Sequence, residues 1–367
     1  MKVPHGGNIW AVAKLCGLHA KDMIDFSANV TPLGLSPTAK ERIKDSIDLL
    51  SNYPDPSADE LIDCLSAYHG VDVEHIAVGN GSSELLYLIP RVLQPKRALI
   101  IEPAFGEYAR SLELAGCSVE KFQTLEAGSF RLDIDALIEC LKEGEGFDIL
   151  YMANPASPTG VLTSKAQMER ILEACVVEGT TFIVDEAFCD FTEPGSMKSR
   201  VASSDQLVVM RSMTKFFGLA GLRLGLMMAS ERMVVEVSER KVPWSINTLA
   251  MAAGCGSLED TSHIEKVRQW FKDEHAFMSR ELASIEGITL FDSSANFFML
   301  KIDPLYGTGP MLRERLLKDR IIIRALTEFA GLGENFVRVS IRTRENNIFL
   351  IDRLKAALKE LAPGRTG

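Results

Sequence analysis

Ile149-Leu150-Tyr151-Met152 and Phe182-Ile183-Val184, with a helical pattern over 166–177 between them, decide the fold. Each run is too short for a helix and carries no polar residue, the pattern of a strand covered on both faces. A helix joining two such strands makes a βαβ unit. The alternation continues outward in both directions. Ile76-Ala77-Val78 leads into a Gly-rich turn and a helix from Glu84 to Leu93. Ala98-Leu99-Ile100-Ile101 precedes a helix near Glu107 to Leu114. Leu207-Val208-Val209-Met210 and Leu224-Gly225-Leu226-Met227 complete the set. The expected class is α/β, with a mostly parallel central sheet and helices on both faces. In such sheets ligands sit beyond the carboxyl ends of the strands, so the polar residues just after these runs are the site candidates.

After about residue 257 the texture changes. A long helical stretch, Ile264 to Ile285, precedes short runs at Thr289–Phe291, Phe297–Ile302, Ile321–Ile323 and Val337–Ile341. The last helix carries Ile351, Leu354, Leu358 and Leu361 on one face. This reads as a smaller α+β domain. The expected division is a large domain over 40–257 and a small one formed by 1–39 and 258–367.

Of the 367 residues, 46% are hydrophobic and 25% charged, and the formal net charge is -10, which argues against a nucleic-acid partner. An anionic small molecule would be met by local arginines in a pocket. The seven cysteines are scattered and include no C-x-x-C, which suits a reduced cytosol and neither a disulfide framework nor a metal site. The start lacks the apolar core of a signal peptide, and no window approaches the ~18 apolar residues of a membrane span. The expectation is a cytoplasmic protein.

Four strand-end segments carry the chemistry. Gly79-Asn80-Gly81-Ser82-Ser83-Glu84 stands between a strand and a helix. Its small residues let successive N–H groups approach an anion, and a helix N-terminus adds a positive field. The same residues also read as a turn with Ser82 or Ser83 as N-cap. Val184-Asp185-Glu186-Ala187-Phe188 sets a carboxylate after a buried strand, where a charge is costly unless paired. A protonated pyridine nitrogen would pair it; so would a lysine or a helix start. Ser212-Met213-Thr214-Lys215-Phe216-Phe217-Gly218-Leu219-Ala220-Gly221-Leu222-Arg223 holds one lysine among apolar and small residues. Desolvation and a cationic neighbour would lower its amine's pKa and favour imine chemistry. Arg223 and Ser212 offer charged and hydroxyl contacts to a phosphate. Asn154-Pro155-Ala156-Ser157-Pro158-Thr159-Gly160 reads by itself only as a loop.

In this order and spacing the segments resemble the fold-type I aminotransferase superfamily, over nearly the whole chain. The resemblance implies pyridoxal 5'-phosphate as cofactor, carried by the large domain of that fold. It implies Lys215 as the Schiff-base lysine, with Asp185 on the pyridine nitrogen. The Gly81, Ser82 and Ser83 amides, with Ser212 and Arg223, would hold the phosphate. Tyr108, in Glu102-Pro103-Ala104-Phe105-Gly106-Glu107-Tyr108, matches the aromatic that stacks on the ring. Tyr53 matches a tyrosine that reaches the neighbouring subunit's cofactor phosphate, which implies a homodimer with shared active sites. Two positions depart from the pattern. Ser157 stands where the family has Asn before Pro-Thr-Gly, leaving Ser157 or Asn154 to contact the ring hydroxyl. Phe188 stands where many members have Tyr.

His5-Gly6-Gly7-Asn8, then Asp25-Phe26-Ser27-Ala28-Asn29 with Pro32-Leu33-Gly34, resemble the threonine-phosphate decarboxylase branch, a relative of the histidinol-phosphate aminotransferases. The implied substrate is a phosphorylated amino compound. The implied reaction is decarboxylation of L-threonine O-3-phosphate for cobalamin synthesis, with transamination of histidinol phosphate as the alternative. Arg338 matches the arginine that binds the substrate carboxylate. Arg324 and Arg342 are candidates for the substrate phosphate, with Asn29 beside them and His5 and Asn8 closing over it.

Overall fold

The computed structural model describes residues 7–144 and 146–362. Strands β2 (Ile76–Asn80), β3 (Arg97–Glu102), β4 (Ser118–Gln123), β5 (Ile149–Ala153), β6 (Thr181–Asp185), β7 (Leu207–Ser212) and β8 (Leu224–Met228) form one sheet in the order β2-β8-β7-β6-β5-β3-β4. Neighbours from β7 across to β4 run parallel, while β8 is antiparallel to both β2 and β7. Successive residues of the strands serve two cores. Val78, Leu99, Leu150, Phe182, Val184, Leu207 and Val209 face one cluster. Ala77, Ala98, Ile100, Tyr151, Ile183, Val208 and Met210 face the other. Helices cover both sides, so the unbroken apolar runs follow directly from the period of two.

Sequence pattern does not announce β4. Ser-Val-Glu-Lys-Phe-Gln sits at the sheet edge, where charged residues block further pairing. Helix α7 (Lys165–Glu178) begins and ends on local signals. Ser164 and Gln167 form a capping box, and Gly179, at φ +70°, closes its C-terminus.

A four-stranded antiparallel sheet, β12-β13-β10-β9, is built from β9 (Ile288–Leu290), β10 (Phe297–Ile302), β12 (Arg324–Ala325) and β13 (Phe336–Ser340). The final helix α12 (Arg344–Leu361) buries Ile351, Leu354 and Leu358 against Phe298, Leu300, Val337 and Val339. The chain's first segment is sewn into this part. Strand β1 (Ile24–Asp25) pairs in parallel with β11 (Ile321–Ile322). Phe26 N donates to Ile322 O (2.8 Å), and Ser340 N donates to Phe26 O (2.8 Å). Helix α2 (Pro37–Asp45) then packs on α9 (Thr248–Glu259) beside the large sheet. A Cβ on Gly256 would lie 2.8 Å from the Ala39 Cα, so only glycine permits that approach. Among the described residues no helix is long and apolar enough to cross a membrane.

One ionic cluster stands inside this apolar frame. Arg211, on β7 and 1% exposed, donates from Nε to Glu186 Oε2 (2.9 Å). Its Nη1 lies 3.1 Å from both Asp190 Oδ1 and Glu193 Oε2. Glu186 also accepts from Ser196 Oγ and Met197 N, each at 2.7 Å. Burial pushes the Glu186 and Asp190 carboxyls up, and the guanidinium opposes it. Losing the cation would leave carboxylates buried without compensation. We expect Arg211→Leu to destabilise the fold by about 3–5 kcal/mol, read as a lower midpoint in equilibrium urea denaturation.

Candidate active site

The parallel register sets Asp185 beside Ala153 and Met210 at the carboxyl ends of the central strands. Asp185 Oδ2 accepts from Tyr108 Oη (2.6 Å), and Oδ1 accepts from Ala187 N (2.9 Å). Burial pushes this carboxyl up; the Tyr108 hydroxyl, the Ala187 N–H and the Lys215 charge pull it back. Lys215 lies on the loop after β7, and its carbonyl accepts from Thr31 N at 3.0 Å. Its Nζ stands 6.0 Å from the Phe188 ring centre. The amine is lowered to about 8, first by burial, then by the charges of Arg338 and Arg223, with Asp185 acting in the other direction. A lysine held this way is a nucleophile near neutral pH.

Beside it, the turn after β2 forms a cradle. Gly81, at φ +76°, precedes α4 (Ser82–Leu93), and no side chain caps the first amides of that helix. A Cβ on Gly81 would meet Arg223 Nη2 at 2.7 Å, and one on Gly225 would meet Ser82 N at 2.1 Å. Glycine at both positions lets β8 carry the guanidinium up to the start of α4. Ser212 Oγ and Thr214 Oγ1, 2.7 Å apart, share a hydrogen bond nearby on the β7 loop. Helix amides, a guanidinium and hydroxyls suit a dianionic phosphate, and a buried carboxylate with a depressed amine suits a pyridinium aldehyde. The residues therefore fit pyridoxal phosphate.

Three expectations need correction. Tyr108 is 1% exposed, stacked on Tyr151 with centroids 4.2 Å apart, and its hydroxyl is engaged by Asp185. It has no face open for a cofactor ring, because α5 (Glu107–Leu114) turns it into the sheet. Phe105, half-buried on the loop before α5 and edge-on to Tyr108 at 5.7 Å, is the better candidate for stacking. Asn154 is 0% exposed; it donates to Thr163 O (3.0 Å) and accepts from Thr163 N (2.8 Å), so it closes its own loop. Ser157 remains the candidate for the ring hydroxyl, and its Oγ accepts from Arg338 Nη1 at 3.0 Å. Asn8 is exposed, and its Oδ1 accepts from Ala11 N (3.1 Å) as N-cap of α1 (Ile9–Leu15). It serves the helix rather than a ligand. His5 lies outside the described residues.

The arginines differ in their surroundings. Arg338 reaches Ser157 and, from Nη2, Ser27 O (3.4 Å), with its guanidinium 5.0 Å from the Phe297 ring centre. Burial and the charge of Arg324 lower it to about 9, while Asp25 opposes them. Arg342 donates from Nη1 to Asp25 O (2.9 Å), and burial lowers it too. Neither is ion-paired among the described residues, and the Nε of each is buried without a partner, as is Asn29 Oδ1. Arg324 instead meets Glu328 at 2.8 Å. Tyr53 is 80% exposed and stacks on Trp244, away from these groups. Sequence reasoning passed over Phe105, Asp25 and Ser27. The signal for the last two was an Asp-x-Ser turn, quoted above only as part of a longer likeness.

Residues 21–354 match the family described as aminotransferase class I and II. The chain is 33% identical over 362 residues to threonine-phosphate decarboxylase of Salmonella typhimurium, covering 98% of each chain. It superposes on the crystal structure of histidinol-phosphate aminotransferase from Clostridium acetobutylicum with a TM-score of 0.85 at 29% identity, covering 91% of this chain and 99% of that one. Against L-threonine-O-3-phosphate decarboxylase from Porphyromonas gingivalis the TM-score is 0.80 at 25% identity, with 91% and 99% covered.

Only the neutral amine attacks a carbonyl, so the depressed value of Lys215 sets a pH dependence. Reloading of apoprotein with pyridoxal phosphate, followed by borohydride capture, should accelerate with a midpoint near pH 8. A midpoint near that of an ordinary lysine would contradict the burial described here.

Proposed function

The chain belongs to the aminotransferase class I and II family, and from that premise we propose that it is a pyridoxal-phosphate decarboxylase. Its substrate is L-threonine O-3-phosphate and its product (R)-1-aminopropan-2-yl phosphate, a step in cobalamin synthesis. The observation that carries this reading is the pair Arg338 and Arg342, both half-buried with a buried Nε and neither ion-paired among the described residues. Two guanidiniums without an ion-pair partner among the described residues suit a ligand with two anionic groups, a carboxylate and a phosphate. The full-length likeness to a threonine-phosphate decarboxylase supports the same choice.

In this reading Lys215 and Asp185 hold the cofactor's two ends, and Gly81, Ser82, Ser83, Ser212 and Arg223 hold its phosphate. Phe105 would contact the ring and Ser157 its hydroxyl. When bound, the cofactor supplies a sink for the electron pair of a bond broken at the substrate Cα. Arg338 takes the carboxylate through its planar fork and fixes the orientation of the Cα–carboxylate bond. Arg342, with Asn29, takes the phosphate. Burial of these cations excludes water and strengthens their hold on both anions. As the Cα–carboxylate bond breaks, CO2 leaves, and Lys215 Nζ delivers one proton to Cα.

The assembly proposed is a homodimer with shared active sites. Exposed Ile47, Leu49, Leu50, Tyr53 and Trp244 form an apolar surface that supports it, and Tyr53 there would reach the neighbour's cofactor phosphate. Seven free cysteines support a reduced, cytoplasmic setting. A second reading, transamination of histidinol phosphate, draws support from the likeness to the solved aminotransferase.

Holoenzyme given O-phosphothreonine should release CO2 while its cofactor stays in the aldehyde form. Lys215→Ala should reduce turnover at least about 10³-fold, and Arg338→Ala should reduce kcat/KM about 10²–10³-fold. Glutamate formed from histidinol phosphate and 2-oxoglutarate, with no CO2 from O-phosphothreonine, would favour the second reading.

A further inference from the structure

Arg338 and Arg342 leave β13 and the residues just after it, and besides Ser157 Oγ on Arg338 Nη1 (3.0 Å), the atoms that hold their guanidiniums come from the far end of the chain. Arg338 Nη2 donates to Ser27 O (3.4 Å) and Arg342 Nη1 to Asp25 O (2.9 Å), two carbonyls of one tight turn. Asp25 Oδ1 makes that turn rigid. It accepts from Ser27 N (2.7 Å) and from Ser27 Oγ (2.6 Å). With its own proton committed to Asp25, Ser27 Oγ presents a lone pair outward, and Gly7 N donates to it at 2.9 Å. Ser27 is 4% exposed and Asp25 8%, so water competes poorly for these bonds.

Elsewhere the segment is pinned to rigid neighbours. Phe26 bridges β11 and β13 through two backbone bonds, and Thr31 N donates to the carbonyl of Lys215. By contrast, α1 leans on only a small apolar cluster, Ala13 with Met23 and Ile322, while Trp10 and Leu15 are exposed. The Ser27 hydroxyl, through Gly7 N just ahead of that helix, is thus a polar tether between the segment and the arginine pair. The buried Nε atoms of both arginines, Asn29 Oδ1 and Ser340 Oγ have no partner among the described residues, and they belong to the segments this turn joins. Buried polar atoms of that kind call for a polar ligand.

We propose that Asp25 and Ser27 are positioning residues that set the spacing of Arg338 and Arg342 and tie the segment from Gly7 to Leu15 to them. The proposal rests on the reading of those arginines as the substrate's anion clamp. The Asp25 carboxylate favours the charged form of both guanidiniums without pairing with either, which leaves both without an ion-pair partner among the described residues for a doubly anionic amino acid to supply. Substrate selectivity then depends on a hydroxyl that touches neither substrate nor cofactor.

The test compares holoenzyme with Ser27→Ala, Ser27→Thr and Asp25→Asn. Ser27→Ala should raise KM for O-phosphothreonine about tenfold or more with kcat within about threefold. Amide hydrogen exchange over residues 7–15 should quicken, and the visible cofactor absorbance should stay unchanged. Asp25→Asn should follow Ser27→Ala in direction, and Ser27→Thr, which keeps the hydroxyl, should restore slow exchange. Unchanged KM and exchange in Ser27→Ala would overturn the proposal, as would a loss confined to kcat or a loss of cofactor absorbance. If the unaltered protein releases no CO2 from O-phosphothreonine, the functional reading fails while the exchange comparison still decides the tether.

Discussion

The balance of charge at the Lys215 amine, set by burial, two guanidiniums and one carboxylate, is the constraint on which the rest of the site depends. Burial and the charges of Arg338 and Arg223 lower the Lys215 amine; Asp185 alone raises it. The carboxylate favours the charged amine, and burial with the two arginine charges favours the neutral one. Tyr108 and the Ala187 N–H in turn hold the Asp185 carboxyl down against the effect of burial. The chemistry thus follows from a local balance of charge, and the fold's task is to hold the four charges where they are.

The sheet does this by register. Strands β5, β6 and β7 end together, so Asn154, Asp185 and Ser212 arrive at one edge, and antiparallel β8 returns Arg223 to the start of α4. Behind Asp185, the buried Arg211 cluster fastens the 186–197 loop, which keeps the strand end from fraying. The small sheet supplies Arg338 from β13, and residues 25–31 bind that sheet, through Phe26 and Ser27, to the Lys215 loop. A ligand held by Arg338 and bonded at Lys215 therefore joins two sheets with different cores.

Much of this was legible in the sequence. Unbroken apolar runs specified the central strands because both faces are covered, and Phe297–Ile302 and Glu107–Leu114 fall where their patterns place them. Edge strand β4 was not legible, since half its residues meet water and its composition is that of a loop. Lys215, Asp185, Arg223 and Gly81 were readable as a set because their neighbours constrain them. Tyr108 and Asn154 were misread for one reason. A motif gives a residue's place in the chain but not the direction of its side chain, and both point inward to partners that lie far off in sequence or across a loop. Asp25 and Ser27 escaped notice because their partners lie some three hundred residues away.

The central claim is that Lys215 is the amine poised for a carbonyl among the described residues. Borohydride reduction of the purified protein, followed by peptide mass mapping, tests it most directly. The account predicts a phosphopyridoxyl mass increment on the peptide holding Lys215 and on no other lysine. The same increment on a different lysine, or none on protein supplied with the cofactor, would contradict it.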